Sequence, residues 1–251
     1  MLSRDELVEI TKTSGLRLHQ QEKDYIQTIA LYYIYQKVGR ELVFKGGTAL
    51  EKVYGLNRFS EDLDFTKNEE INMDGLMDSV LSGLRSHGVD CELKKEKPRF
   101  EFSDKYKISA KGPLYSGEIS RVFIRAEISA REKTMLGPDI KNIFPVYRDV
   151  PNFSLAAMPM MEIAAEKVRA IFTRTKPRDV YDLWFLLNKG TDVNYGLIAK
   201  KLEYYNPKYS YKLFSEKIRE HGSSWEKELK LLLPSVPEFG NVSSFILGKF
   251  G

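Results

Sequence analysis

Apolar positions recur along the chain with two different periods, and the change of period divides it. Ser3 followed by Glu6 is the pattern of a capping box opening a short helix. Between Leu16 and Val38 the residues Ile26, Ile29, Ala30, Tyr33 and Ile34 fall on one helical stripe, and Gly39 supplies the stop. Glu41 to Phe44 reads as a short strand running into Gly46-Gly47. Thr48 is placed to cap a short helix from Ala49 to Tyr54, ended by Gly55. Asp62-Leu63-Asp64-Phe65 alternates with period two, as a half-buried strand does. Met73 to His87 predicts a helix closed by Gly88.

Beyond Cys91 the pattern shifts to strands, at Glu92–Glu96, Phe100–Phe102, Tyr106–Ser109, Arg121–Ser129 and Ile143–Tyr147. From Pro159 it turns helical. One helix starts there and carries Glu162, Glu166, Lys167 and Arg169. Pro177 opens a second, Arg178 to Lys189, and further helices are predicted at Tyr195–Tyr205, Tyr209–His221 and Ser224–Leu233. The expected fold class is α+β: a mixed sheet in an N-terminal half, residues 1–155, and a helical C-terminal half, residues 156–251.

Composition narrows the class of protein. The single cysteine, Cys91, excludes an internal disulfide scaffold and suits a reducing compartment. The first residues lack a basic-then-apolar leader, and no apolar run approaches the ~20 residues of a membrane span. A cytoplasmic protein without a membrane partner is expected. The net charge of +4 is mild, so it permits a nucleic-acid partner without requiring one. Two basic clusters stand out, Lys94, Lys95, Lys97 and Arg99, and Arg169, Arg174, Lys176 and Arg178. Each is either a solvated face or a phosphate-binding surface. His19, His87 and His221 show no metal-ligand spacing and are expected at the surface.

The chemistry concentrates between Phe44 and Phe65. Glycines let backbone approach a ligand closely, and a helix start offers free N–H groups to an anion, so Gly46-Gly47-Thr48 suits a triphosphate. Residues two apart on a strand share a face, so Asp62 and Asp64 project together. Two such carboxylates repel, and a hard cation such as Mg²⁺ (or Mn²⁺) relieves the repulsion. A third acid is available in Glu127, on a strand whose apolar face is Val122, Ile124, Ala126 and Ile128. It joins the aspartates if that strand lies beside theirs. Otherwise it pairs with Arg125 or Arg131.

Phe44-Lys45-Gly46-Gly47-Thr48, followed by Arg58-Phe59-Ser60-Glu61-Asp62-Leu63-Asp64, resembles the first motif of the AbiEii/AbiGii toxin family. That family is a branch of the DNA polymerase β-like nucleotidyltransferases. Glu162-Ile163-Ala164-Ala165-Glu166-Lys167, with Arg178-Asp179-Val180-Tyr181-Asp182, is similar to its later motifs. The resemblance implies that Lys45, Gly46, Gly47, Thr48, Arg58, Ser60, Lys167, Arg178 and Asp179 contact the nucleotide. It implies that Asp62, Asp64 and Glu127 hold metal, and that Lys167 and Asp182 join the two aspartates in catalysis. Asp182 is also open to pairing with Arg178, four residues before it on the same helix. Lys167 is open to a second role too, because a long cation between Ile163 and Ile171 either reaches water or meets a buried anion. The implied activity is transfer of a nucleoside monophosphate from an NTP to an acceptor hydroxyl. The acceptor expected is RNA, including a tRNA 3′ end, within a toxin–antitoxin or phage-defence system that supplies an antitoxin partner. A protein acceptor and a non-catalytic NTP- or RNA-binding module are the alternatives.

Overall fold

A computed structural model describes residues 1–97, 102–205 and 207–251. Arg99 lies outside the described residues, as do Phe100 and Glu101 of the strand expected at Phe100–Phe102. The chain divides into two compact units. The first is Met1–Tyr54, Phe59–Thr134 and Pro138–Ala157. The second is Gly55–Arg58, Met135–Gly137 and Met158–Gly251.

The first unit holds four helices among the described residues: α1 (Arg4–Ser14), α2 (Leu18–Tyr35), α3 (Gly46–Tyr54) and α4 (Met73–Ser86). Its strands are β1 (Leu42–Lys45), β2 (Asp62–Lys67), β3 (Asp90–Glu96), β4 (Ser103–Lys111), β5 (Val122–Ser129), β6 (Asp139–Ile143) and β7 (Phe153–Ala157). These make one sheet in the order β3-β4-β5-β2-β1-β7-β6. The β2–β5 and β1–β7 pairs are parallel and the others antiparallel, so the sheet is mixed as the pattern predicts.

Local chemistry accounts for these elements. The Ser3–Glu6 capping box forms, each side chain satisfying a backbone N–H that the helix leaves unpaired. The stripe of α2 buries Ile26, Ile29, Ala30 and Ile34 in one core with Leu63 and Phe65 of β2, Ile124 and Ala126 of β5, and Val80 and Leu84 of α4. Phe44 and Phe65 stand opposite across β1–β2, their ring centroids 5.3 Å apart. Such a pair contributes about 0.5–1.5 kcal/mol beyond its area.

Three elements of the first unit depart from the pattern-based expectation. Helix α3 starts at Gly46, so Thr48 lies inside its first turn instead of capping it. The strand expected at Ile143–Tyr147 lies earlier, at β6, because Pro145 lacks the N–H that a ladder needs. Strand β7 has no counterpart in the predicted elements, since Leu155-Ala156-Ala157 shows no alternation; both faces are buried and the run is continuously apolar.

In the second unit the described helices are α5 (Met160–Thr173), α6 (Pro177–Asn188), α7 (Tyr195–Glu203), α8 (Tyr211–Glu220), α9 (Trp225–Leu229) and α10 (Phe239–Phe250). Pro177 takes the first turn of α6, where its missing N–H costs nothing. Val168, Ile171, Leu183, Phe214, Ile218 and Ile246 are buried, and Phe214 packs on Phe172 and Phe250 at 6.0 and 4.6 Å between ring centroids. Helix α10 is hard to see in the sequence because Gly240, Asn241, Ser243 and Ser244 mask its buried stripe of Val242, Ile246 and Phe250. Two histidines are corrected as well. His221 is fully buried in this unit, and His87 of the first unit turns its ring to Asp149 at 3.1 Å. Among the described residues no helix is long and apolar enough to cross a membrane.

Gly83 lets α4 approach α2, because a Cβ built there would overlap the ring of Tyr33. Helix propensity alone favours Gly83→Ala by about 1 kcal/mol. Overpacking costs about 1–3 kcal/mol, so the expected net effect is a loss of stability. A urea-unfolding midpoint that rises in Gly83→Ala would show that the close approach carries no constraint.

Candidate active site

In the first unit, β2 sets the geometry. Leu63 and Phe65 enter the core, which leaves Asp62 and Asp64 half-buried on the opposite face. The register places Lys45 of β1 on one side of Asp64 and Glu127 of β5 on the other. Arg125 stands beside Asp62. Thus β5 does lie next to β2, and Glu127 shares the acids' face.

The turn into α3 is locked to these acids. Gly46 has φ +75°, a left-handed backbone that favours glycine. A Cβ on it would collide with the Asp64 carboxylate. Thr48 is fully buried and its Oγ1 donates to the Asp62 carbonyl at 2.5 Å. The first-turn N–H groups of α3, at Gly46, Gly47 and Thr48, have no intrahelical acceptors and favour an anion.

Three residues not singled out in the sequence support the strand. Gln27 of α2 is fully buried and its Nε2 donates to the carbonyls of Ser60 (3.1 Å) and Glu61 (2.8 Å). The Ser60 N–H donates to Glu51 at 2.9 Å. Burial pushes the Lys23 ammonium below its ordinary pKa, and the charges of Glu61 and Asp62 restore only part of it. Gln27 and Lys23 both come from α2, in a stretch whose apolar stripe hides their polar task.

The donor chemistry suits a hard divalent ion: two carboxylates on one strand face, both half-buried. Among the described residues no three Asp, Glu, His or Cys side chains form a set that would hold a metal ion by themselves. Glu127 stands beside Asp64 without completing such a set. Magnesium commonly takes only one or two carboxylates from a protein and fills its shell with water and phosphate oxygens.

The second unit holds a different arrangement of charge. Asp179 and Asp182, both fully buried on α6, face Lys167 of α5, whose Nζ lies 3.0 Å from Asp179 and 2.6 Å from Asp182. Arg58 forks onto Asp182 with two bonds of 2.6 Å, and Arg174 reaches Asp179 at 2.7 and 2.9 Å. Burial alone would raise both carboxyls. For Asp179 the charges and hydrogen bonds of Lys167 and Arg174 outweigh it, and for Asp182 those of Arg58 and Lys167, so both stay below the ordinary carboxylate range. Asp182 thus takes Arg58 and Lys167 as partners, whereas the spacing along α6 had offered Arg178, which is half-buried. Lys201, absent from the sequence-based candidates, is fully buried against Glu162 at 2.8 Å and Glu166 at 3.3 Å. Glu162 accepts the N–H groups of Met135 (2.9 Å) and Leu136 (2.8 Å). That bond set and the Arg58 fork explain why two short segments from earlier in the chain belong to the second unit.

Comparison with known proteins follows the same lines. The model of the family described as "Nucleotidyl transferase AbiEii toxin, Type IV TA system" matches residues 30–244. No curated protein matches the chain. Among solved structures, MenT4, a nucleotidyltransferase toxin from Mycobacterium tuberculosis, is similar with a TM-score of 0.69 and 21% identity, covering 100% of this chain and 89% of that one. JHP933 from Helicobacter pylori is similar with a TM-score of 0.64 and 24% identity, over 93% of this chain and 90% of that one. At these identities the two structures bear on the fold.

Gly46→Ala is expected to displace the Asp64 carboxylate and to lower stability by more than about 1 kcal/mol, through strain at positive φ. A wild-type melting temperature and unchanged nucleotide binding in this variant would remove the close approach from the site. Lys167→Ala is expected to lose about 3–5 kcal/mol, because it leaves buried carboxylates under-compensated. Lowered native carboxyl pKa values give stability that is complete above the unfolded value of about 3.9 and is lost as pH falls below it. Unfolding midpoints between about pH 5 and pH 2 should therefore drop less in Lys167→Ala than in wild type; equal slopes would contradict the network.

Proposed function

The chain belongs to the AbiEii nucleotidyl transferase toxin family and is a nucleotidyltransferase, and from that premise we propose that it moves a nucleoside monophosphate from an NTP to an acceptor hydroxyl on RNA, a tRNA 3′ end being the acceptor of choice. The observation that carries this reading is the seating of the Asp64 carboxylate against Gly46, which sets an acid pair at the start of a helix whose free N–H groups favour an anion.

In this reading Gly46, Gly47 and Thr48 receive the triphosphate through backbone N–H groups, and Lys45, opposite Asp64, adds a cation to the same face. Thr48 and Gln27 act as positioning residues, holding β2 and the loop before it. Asp62 and Asp64 would hold Mg²⁺ or Mn²⁺, with Glu127 as the neighbouring acid; the ion supplies charge neutralisation of the phosphates and acidifies the acceptor hydroxyl. Lys23 and Arg125, beside Asp62, adjust the field around the pair. Lys167, Asp179, Asp182 and Arg58 contribute through the buried network that holds the second unit in shape. The family's description as the toxin of a toxin–antitoxin system supports an antitoxin as the protein's regulatory partner.

The test is incubation of the whole chain with each labelled NTP, total RNA and Mg²⁺, followed by separation of RNA from protein. Label is expected in RNA, only with divalent metal, and Asp62→Asn or Asp64→Asn should abolish it while leaving the fold intact. Relief of repulsion between the two carboxylates should leave the melting temperature unchanged or higher. Label in protein would replace the acceptor class, and a fully active Asp64→Asn enzyme would falsify the site.

A further inference from the structure

The sheet register of the first unit draws a line of charge across four strands. Asp62 stands opposite Arg125, Arg125 opposite Lys107, and Lys107 opposite Lys94. All four share the face that carries the acid pair. With strands about 4.8 Å apart, the three cations extend roughly 14 Å from Asp62 to the edge strand β3. Arg125 and Lys94 are exposed and Lys107 is half-buried. Phe123, two residues before Arg125 on β5, is 38% exposed, and the Lys107 ammonium sits 3.9 Å from its ring centroid.

This row is poor design for a sheet on its own. Like charges directly opposite each other on neighbouring strands destabilise the pair. Asp62 ends the row beside Arg125, and Glu96, 3.8 Å from Arg125, is shared with Lys105 at 3.6 Å. Exposed ion pairs at such separations contribute little and open readily. A partner with regularly spaced negative charge would relieve the row, and an exposed aromatic beside it offers a face for a base.

Resting on the reading of an RNA acceptor, we propose that Arg125, Lys107 and Lys94, with Phe123, form the track for the single-stranded end of that RNA, its phosphates on the cations and one unstacked base on the Phe123 ring. The strand enters over β3 and its terminal hydroxyl arrives beside Asp62. A duplex fits this surface poorly, because its bases are already stacked and cannot reach the ring.

Fluorescence anisotropy of the full chain with a short labelled single-stranded RNA, and with the same sequence as a blunt duplex, tests the track. Lys107→Glu should weaken single-strand binding tenfold or more, and the slope of log affinity against log salt should fall by roughly 0.7 for each phosphate no longer neutralised. Phe123→Ala should weaken it about fivefold to a hundredfold without altering that slope. Lys12→Glu, an equal charge change on α1, should alter binding by no more than about twofold through the general field. Calorimetric NTP binding is expected to match wild type in all three variants. The track is overturned if the Lys107 and Phe123 variants bind single-stranded RNA as Lys12→Glu does, if the duplex binds as tightly as the single strand, or if wild type binds no RNA. Failure of wild type to bind NTP with Mg²⁺ would instead strike the nucleotide site at Asp62 and Asp64.

Discussion

The first unit turns on a contact that leaves no room for a methyl group. Gly46 brings the start of α3 against the Asp64 carboxylate, and its positive φ is what allows β1 to turn directly into a helix there. Thr48 then bonds the β2 backbone at Asp62, so the helix start and the acid strand move as one piece. Ordering a binding site in advance lowers the entropy cost at the moment of binding. Here the ordering is done by backbone geometry and one hydroxyl, and both carboxylates keep to the face opposite Leu63 and Phe65.

The second unit solves the opposite problem. Its paired acids are buried and answered inside the protein, with Lys167, Arg58 and the exposed Arg174 disposed around Asp179 and Asp182, and Lys201 between Glu162 and Glu166. Buried ion pairs rarely stabilise more than apolar residues of the same size would, yet they are intolerant of losing one member. They also specify partners. Arg58 and the Met135–Leu136 backbone, which come from between elements of the sheet, are drawn into the helical unit by these acids. Sequence motifs that look catalytic along the chain are, in space, also the clasps of a fold.

Much of this is legible in the chain without coordinates. The alternation in Asp62-Leu63-Asp64-Phe65 carries both the strand and the shared face of its acids, because a period of two permits no other arrangement. Helices α5 and α6 follow from Pro159, Pro177 and their apolar stripes. What stays hidden depends on long-range packing. Strand β7, buried at every position but Ser154, has no alternation of polar and apolar residues to mark its period. Nothing local to Lys201 or Gln27 says that either is buried, and Lys167 admits two readings because its partners lie on another helix. The Arg125–Lys107–Lys94 row exists only in the register between strands, and no linear pattern contains it.

The mixed topology also sets the timing of the protein's birth. Strand β2 can pair with β5 only after β3 and β4 have been made, and β1 meets its parallel neighbour β7 only when Ala157 has emerged. Closing such distant segments carries a loop entropy that local hairpins avoid, so the two parallel pairs are expected to close after the antiparallel β3–β4 pair. A nascent chain therefore carries Asp62 and Asp64 well before it carries the sheet that aligns them. For a member of a toxin family, synthesis and activity are separated by the order in which the strands are threaded together.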